Sequence, residues 1–149
     1  MVTNIPFIKV YYLGKRELFN NPVFSWLFTK LGVIPIKRGK PDISAIKEVF
    51  KVMDKKKLLV IFPEGTRNKP GKLGKPKAGA ILIALKSKVP ILPVGIKNIK
   101  NSKKSTEINI GQPFTLEKYY DRSLSRKEKK EAGKFIMNKI KEQIDNNNW

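Results

Sequence analysis

The chain has 149 residues, the length of one ordinary domain, which is enough to bury a hydrophobic core without disulfides or metal ions. It contains no cysteine and no histidine, which excludes thiol catalysis and argues against histidine-based catalytic triads and zinc sites. Its 32 Lys and Arg against 12 Asp and Glu give a net charge of +20, which should attract phosphates of lipid, nucleic acid or an acidic carrier protein. An alternative explanation is drift towards lysine on solvated faces, but drift explains the shortage of acidic residues poorly.

The first part of the chain predicts a strand followed by a short, very apolar helix. Residues 5–13 are mostly apolar and β-branched or aromatic, as in a strand, and residues 14–20 form a polar connection. Asn21 and Pro22 predict a cap and a first-turn proline for a helix that ends at Gly32. We expect a neighbouring element to bury its apolar side chains, with contact to lipid or an acyl chain as the alternative; these side chains are Val23, Phe24, Trp26, Leu27, Phe28 and Leu31.

The next segments predict a strand, a helix and a second strand. Residues 32–36 predict a short strand that ends before Arg38, and apolar residues at helical spacing predict a helix from Asp42. The continuous apolar run of residues 58–62 is typical of a central parallel strand buried on both faces. Such a strand delivers Pro63–Arg67 to its carboxyl end, where open α/β sheets bind their ligands.

The second half of the chain predicts two helices and two strands. Residues 76–86 predict a helix, and residues 91–96 and 106–110 predict strands. The last helix begins at Ser125, which forms the pattern of a capping box with Glu128. The alternation of strands and helices predicts an α/β fold with a largely parallel central sheet flanked by helices, as a single domain over the whole chain, residues 1–149. The helix over residues 76–86 should turn four side chains inward: Ala78, Ile81, Leu82 and Leu85.

The segment Phe62–Arg67 carries a carboxylate, a glycine, a hydroxyl and a guanidinium directly after the buried strand. The guanidinium of Arg67 can donate to two phosphate oxygens at once, and Thr66 can add a further donor. Glu64 can orient Arg67 or accept a hydrogen bond from a substrate hydroxyl, and Gly65 lets the chain approach a ligand closely. The pattern suits a small phosphate-ester site, although a structural ion pair between Glu64 and Arg67 is the alternative.

The same segment resembles the Phe-Pro-Glu-Gly-Thr-Arg block of the glycerophosphate and lysophosphatidate acyltransferase family. Other segments resemble further blocks of this family in the same order and spacing. Residues 15–19 are similar to its Lys-x-Glu-Leu segment, residues 32–38 to its second block, and residues 89–94 to its fourth block. Residues 77–80, Lys-Ala-Gly-Ala, lie between the last two blocks, as a helix of the family does.

The resemblance implies roles for five residues. Arg38 and Arg67 would hold the phosphate of a lysophospholipid, and Glu64, Gly65 and Thr66 would shape the site for its glycerol. The resemblance also implies an acyltransferase-like fold without a metal ion or redox cofactor, because acyl-CoA or acyl-carrier protein brings the acyl group as co-substrate. Without the resemblance, Arg38 would be interpreted as part of a solvated Lys-Arg pair after a strand.

One block of the family has no counterpart here. That block is Asn-His-x4-Asp, in which the histidine, oriented by the aspartate, takes the proton from the acceptor hydroxyl; these 149 residues contain no histidine. In the family it lies shortly before the Lys-x-Glu-Leu segment, so it is expected at or just before Met1. We therefore expect a chain without its N-terminal elements and without the catalytic base, and we assign no catalytic residue. Asp42 and Asp54 are expected at helix ends and do not replace the histidine.

The implied function is transfer of a fatty acyl group from acyl-carrier protein or acyl-CoA to 1-acyl-glycerol 3-phosphate, giving phosphatidate in phospholipid synthesis. The implied partners are lysophosphatidate, the acyl donor and an anionic membrane surface. No stretch approaches the about 18 to 20 apolar residues of a spanning helix, so we expect peripheral binding at the cytoplasmic face of the cell membrane. One alternative is a catalytically inactive remnant that binds lysophospholipid. A nucleic-acid-binding domain is less favoured, because the lysines are dispersed and no recognition motif is present.

Overall fold

The computed structural model describes residues 9–37, 39, 42–66, 68, 72–97 and 105–145. Contacts divide the chain into two compact units, Met1–Ile61 and Phe62–Trp149. The expectation of a single domain over residues 1–149 stays a prediction.

A three-stranded parallel sheet forms the centre of the first unit. β1 (Val10–Lys15) lies between β2 (Val33–Ile36) and β3 (Leu58–Val60) and is parallel to both. Helices pack on this sheet. The predicted α/β fold, with a parallel sheet flanked by helices, is therefore confirmed.

Two expectations about the strands are wrong in detail. The sequence predicts residues 58–62 as a central strand buried on both faces, but β3 is an edge strand of the described sheet, and Leu58 is 47% exposed. β1 takes the central position because it pairs on both sides. The predicted polar connection at residues 14–20 also begins too early, since β1 continues to Lys15, opposite Ile36 of β2.

The helix α1 (Pro22–Lys30) follows a 3₁₀ helix over Arg16–Phe19 and begins where the sequence predicts. Its cap is Asn21, whose side chain accepts a hydrogen bond from the N–H of Val23 at 2.9 Å. No residue of α1 is buried. The expectation that a neighbouring element buries its apolar side chains is therefore wrong for the part of the chain that the structure describes; those exposed are Val23, Phe24, Trp26, Leu27 and Leu31.

The helix α2 (Ile43–Asp54) packs on β2 and β3. Asp42 caps it by accepting a hydrogen bond from the N–H of Ala45 at 3.1 Å, as the sequence predicts. Ile43 is 67% exposed, whereas the inner face of the helix is buried by Ala45, Val49 and Val52. This burial holds α2 over the sheet, so the β2–α2 connection starts and ends on ordered elements.

The second unit contains α3 (Ala78–Ser87), α4 (Arg126–Asp145) and a small second sheet. β4 (Val94–Lys97) and β5 (Glu107–Ile110) pair in antiparallel orientation, which the sequence does not predict. Side chains from both helices and from the segment between β5 and α4 form one buried cluster, made of Leu85, Leu116, Ala132 and Ile136.

The local sequence correctly predicts where α4 starts, but it predicts less well which side chains of α3 are buried. The Ser125 N–H donates to Oε2 of Glu128 at 2.8 Å, and the Ser125 hydroxyl oxygen accepts from the Glu128 N–H at 3.2 Å, so the capping box is confirmed. In contrast, α3 starts two residues later than predicted. It buries Ile83 rather than Leu82, which is 38% exposed.

Candidate substrate-binding site

The first feature of the site is a tight turn over residues 62–65. The N–H of Gly65 donates to the carbonyl oxygen of Phe62 at 3.0 Å and closes the turn. Pro63 and Glu64 occupy its two central positions, and the fixed φ of proline favours the first of them. Gly65 follows with a φ of +63°, a conformation that costs other L-residues about 1–2 kcal/mol. Local rules therefore explain why the sequence Phe-Pro-Glu-Gly forms this turn.

The residue before α3 contacts the turn through its backbone and its side chain. The N–H of Lys77 donates to the carbonyl oxygen of Pro63 at 2.8 Å. The Lys77 side chain passes Gly65, where an added Cβ would lie 3.0 Å from Cγ of Lys77. The backbone angle and the nearby lysine therefore both disfavour a side chain at Gly65. The turn is thereby fixed to the start of α3.

Two polar side chains near the turn have hydrogen-bonding capacity that the described chain leaves unused. Glu64 is half-buried as a residue, and within the described residues its carboxylate makes no hydrogen bond or ion pair. The amide Nδ2 of Asn68 is buried, and it has no hydrogen-bond partner in that part of the chain either. Both side chains lie against Gly74, where an added Cβ would be 3.0 Å from Oε2 of Glu64. Because buried polar groups are normally paired, the Nδ2 of Asn68 is unusual among the described residues, and the carboxylate of Glu64 beside it is an acceptor without a partner in the same part of the chain.

The β2–α2 connection, which contains Arg38, is held at both ends by Asp42. Besides capping α2, the Asp42 carboxylate accepts hydrogen bonds from the Lys37 N–H at 2.9 Å and from the Ser44 hydroxyl at 2.6 Å. The hydrogen bond from Ser44, followed by those from two backbone N–H groups, lowers the pKa of Asp42 to about 2. Asp42 is thus a structural cap, and Asp54 is the last residue of α2, as the sequence predicts.

The structure describes three of the five predicted site residues. Glu64 and Gly65 lie in the turn, and Thr66 follows it as an exposed residue. Arg38 and Arg67 lie outside the described residues, so their contact with a phosphate stays a prediction.

The strands that precede the two arginine segments end at the same edge of the sheet. β2 and β3 are both parallel to β1, which lies between them. Their carboxyl ends are therefore two strand spacings apart, about 10 Å. In parallel sheets this edge is where ligands bind.

Asn68 and Lys77 are missing from the sequence-based prediction of the site. Lys77 has a sequence signal, because it stands directly before the helix start in the Lys-Ala-Gly-Ala segment. Asn68 has no comparable signal, since only its buried and unpaired amide distinguishes it from a loop residue.

The fold and these motifs are those of an acyltransferase, and the family model with the description Acyltransferase matches residues 4–97. This match covers more than half of the chain, which therefore belongs to the acyltransferase family. In particular, the chain is similar to 1-acyl-sn-glycerol-3-phosphate acyltransferases. The Streptococcus pneumoniae enzyme is 36% identical over 111 residues, which cover 70% of this chain and 40% of that protein.

Two further relatives carry the same name. The Bacillus subtilis enzyme is 29% identical over 111 residues, which cover 71% of this chain and 55% of that protein. A chloroplastic enzyme of Brassica napus is 38% identical over 85 residues, which cover 56% of this chain and 25% of that protein. The chain thus spans 25% to 55% of the length of these relatives.

The fold is also that of a solved structure. The crystal structure of the 1-acyl-sn-glycerophosphate (LPA) acyltransferase PlsC from Thermotoga maritima matches with a TM-score of 0.65 at 22% sequence identity. The match covers 93% of this chain and 58% of that chain. At this identity the likeness concerns the fold, and it agrees with the predicted acyltransferase-like architecture.

Proposed function

We propose that this chain is the phosphate-recognising part of an enzyme that transfers a fatty acyl group to 1-acyl-glycerol 3-phosphate, giving phosphatidate for phospholipid synthesis. The observation that carries the proposal is the family match over residues 4–97, because this range contains both arginine segments. The names of the relatives support the choice of substrate. The acyl donor would be a thioester, either acyl-CoA or acyl-carrier protein.

In this proposal the charged and polar groups after β2 and β3 recognise the substrate. Arg38 and Arg67 bind the phosphate, since a guanidinium can donate two parallel hydrogen bonds to phosphate oxygens. Glu64, whose carboxylate has no partner among the described residues, accepts a hydrogen bond from the glycerol, while Gly65 and Thr66 shape this part of the site. The Nδ2 of Asn68, which has no partner among the described residues, adds a donor beside Gly74, where Glu64 also lies.

The chemistry needs a general base that these residues do not supply. The acceptor hydroxyl loses its proton as its oxygen attacks the thioester carbonyl carbon, and the thiol of the donor leaves with a proton. In the family pattern a histidine takes the hydroxyl proton, and the 149 residues contain none. A general base typically contributes about 10²- to 10⁴-fold in rate. The second candidate function for these 149 residues is lysophospholipid binding without turnover.

The charge of the chain supports anionic partners. The solvent side of α4 exposes five cations within an arc of about 100°, and within the described residues none of them forms an ion pair; they are Arg126, Lys127, Lys130, Lys134 and Lys141. Such a surface suits an anionic membrane or an acidic acyl-carrier protein. Among the described helices none is long and apolar enough to cross a bilayer. We place the protein at the cytoplasmic face of the cell membrane, bound from the surface.

Titration of lysophosphatidate below its micellar concentration tests the proposed site. Arg67→Ala should weaken binding by about 10- to 100-fold, because hydrogen bonds to charged groups contribute about 1.5–3 kcal/mol. Arg126→Ala is the matched control, since it removes the same charge from α4 and should change affinity by less than about twofold. Equal weakening by the two variants would mean unspecific charge attraction and would contradict the proposal.

A transfer assay separates the two candidate functions. Phosphatidate formed from lysophosphatidate and acyl-CoA or acyl-carrier protein supports the enzyme, whereas binding without product at saturating donor supports the non-catalytic function. A DNA titration tests the remaining alternative. Steeply salt-dependent DNA binding that is indifferent to Arg67→Ala would favour a nucleic-acid-binding domain.

A further inference from the structure

The helix α1 turns its apolar side outward. Val23 is 70% exposed, Trp26 63% and Phe24 52%. At 100° per residue, the exposed apolar side chains from Val23 to Leu31, together with Lys30, fall on one continuous arc of about 160°. We call this surface the α1 outer face; it consists of Val23, Phe24, Trp26, Leu27, Lys30 and Leu31.

The opposite side of α1 contacts the rest of the first unit. Phe28 is half-buried, and its ring centroid lies 5.8 Å from that of Phe19 and 6.2 Å from that of Phe24. The polar residue Ser25 is also half-buried. The helix therefore exposes a tryptophan and a valine more than a serine, which is the reverse of a helix that serves only the core.

The α1 outer face carries one cation, Lys30, and no anion. Helix α1 contains no acidic residue, and Lys30 Nζ lies 5.9 Å from the ring centroid of Trp26. Tryptophan beside lysine on an apolar helix face is typical of helices that lie at a lipid–water boundary, with the ring among headgroups and the ammonium directed to phosphates. The net charge of +20 adds long-range attraction to an anionic bilayer.

A second copy of the chain fits this face less well. A nine-residue helix is about 14 Å long, so the face is far smaller than the about 800 Å² per partner of a stable protein interface. Two chains that each carry a charge of +20 also repel one another. A lipid surface has neither limitation, because it supplies anionic groups around an apolar interior.

We propose that the α1 outer face docks on the surface of an anionic bilayer, with Trp26 at the level of the lipid headgroups. The proposal identifies the surface of the chain that contacts the membrane in the proposed function. It rests on that function in one respect, which is that the protein meets a bilayer at all. Vesicle binding is measured without lysophosphatidate and without turnover. Its failure is therefore distinguishable from failure of the substrate-binding proposal.

Tryptophan fluorescence with vesicles of phosphatidylglycerol and phosphatidylcholine tests the docking. The chain has two tryptophans, so Trp149→Phe leaves Trp26 as the only reporter. We expect its emission to shift to the blue on addition of vesicles, and lipids brominated near the headgroup to quench it. An unshifted and unquenched Trp26 would overturn the proposal. This measurement uses no substitution in α1 and remains decisive if α1 variants fail to fold.

Paired substitutions locate the contact. Val23→Ser with Leu31→Ser should weaken vesicle partitioning by about tenfold or more. The control pair is Ile108→Ser with Ile110→Ser on β5, because these side chains are 55% and 65% exposed; it should change partitioning by less than about twofold. Equal losses in both pairs would contradict the assignment to α1.

The other possible occupants of the α1 outer face give different outcomes. A concentration-dependent dimer that forms without lipid and loses its affinity in the Val23 and Leu31 variant would assign the face to a second copy. Quenching of Trp26 in the 149-residue chain, but not in the protein isolated from its source cell, would assign the face to another segment of that protein. Either result overturns the lipid proposal.

Discussion

Replacement of Gly65 by alanine tests how the turn after β3 is built. Gly65 has a φ of +63°, and an added Cβ would lie 3.0 Å from Cγ of Lys77. The left-handed conformation costs alanine about 1–2 kcal/mol, while the reduced freedom of the unfolded chain returns about 0.4–1 kcal/mol. The contact with Lys77 adds a further cost. The backbone effects leave a net loss of about 1 kcal/mol, and the Lys77 contact should raise the loss in the free energy of unfolding above that value, measured by urea denaturation with an unchanged m-value.

Substitutions at two other glycines separate the backbone strain at Gly65 from the contact with Lys77. Gly39 has a φ of +85°, and no atom of the described residues lies within 4 Å of an added Cβ, so Gly39→Ala should show the backbone strain alone, about 1 kcal/mol. Gly79 lies in the first turn of α3, and no neighbour in the described part of the chain comes within 4 Å of an added Cβ. Gly79→Ala should therefore be neutral or stabilising by up to about 1 kcal/mol. A Gly65→Ala chain as stable as wild type would refute the reasoning. Equal losses at Gly65 and Gly39 would refute the contribution of Lys77.

Three further predictions concern caps and the unpaired amide. Asp42→Ala should lower the free energy of unfolding by about 1–2 kcal/mol in urea denaturation, because it removes the cap of α2; an unchanged midpoint would contradict this. Since the folded pKa of Asp42 is lowered from 3.8 to about 2, its contribution is present above about pH 4 and is lost as the pH falls towards 2; Asp42→Asn should flatten the stability profile in that window. Ser125→Ala should cost about 1 kcal/mol, measured in the same way, with the exposed Ser123→Ala as a control of no effect. Asn68→Ala should weaken lysophosphatidate binding in a titration without loss of thermal stability, because its buried Nδ2 has no hydrogen-bond partner to lose among the described residues. A destabilised variant with unchanged affinity would assign Asn68 to the fold.

The parts of the fold that sequence predicts well depend on neighbouring residues in the chain. Asn21, Asp42 and Ser125 each cap a helix through a hydrogen bond within three residues, so the pattern of a few side chains contains the whole interaction. The turn at Gly65 is similar, because proline and glycine set its backbone angles locally.

The parts that sequence predicts poorly depend on contacts between distant elements. An apolar run such as residues 58–62 indicates a strand but not its place in the sheet, which is decided by the pairing of β1 on both sides. Apolar residues in α1 indicate a helix but not which side contacts the sheet, and there the exposed side is the apolar one. The antiparallel pairing of β4 with β5 likewise has no signal in the spacing of apolar residues.

The candidate site also has one part that the local sequence predicts and another part that depends on contacts between distant residues. The residue types of Phe62–Arg67 and the family resemblance predict which side chains lie at the carboxyl end of β3. The contribution of Lys77 depends on a backbone hydrogen bond to Pro63, fourteen positions earlier in the sequence, and that of Asn68 depends on burial. Neither property is visible in the local sequence.

The central claim is that this chain recognises the phosphate of a lysophospholipid through Arg38 and Arg67. The most direct test compares the affinity for lysophosphatidate with that for 1-acylglycerol, which lacks the phosphate, in the wild-type chain and in the Arg38→Ala, Arg67→Ala double variant. The account predicts a wild-type preference for lysophosphatidate of at least about tenfold that disappears in the double variant. Equal affinity of the wild-type chain for both lipids, or a preference that survives in the double variant, would contradict it.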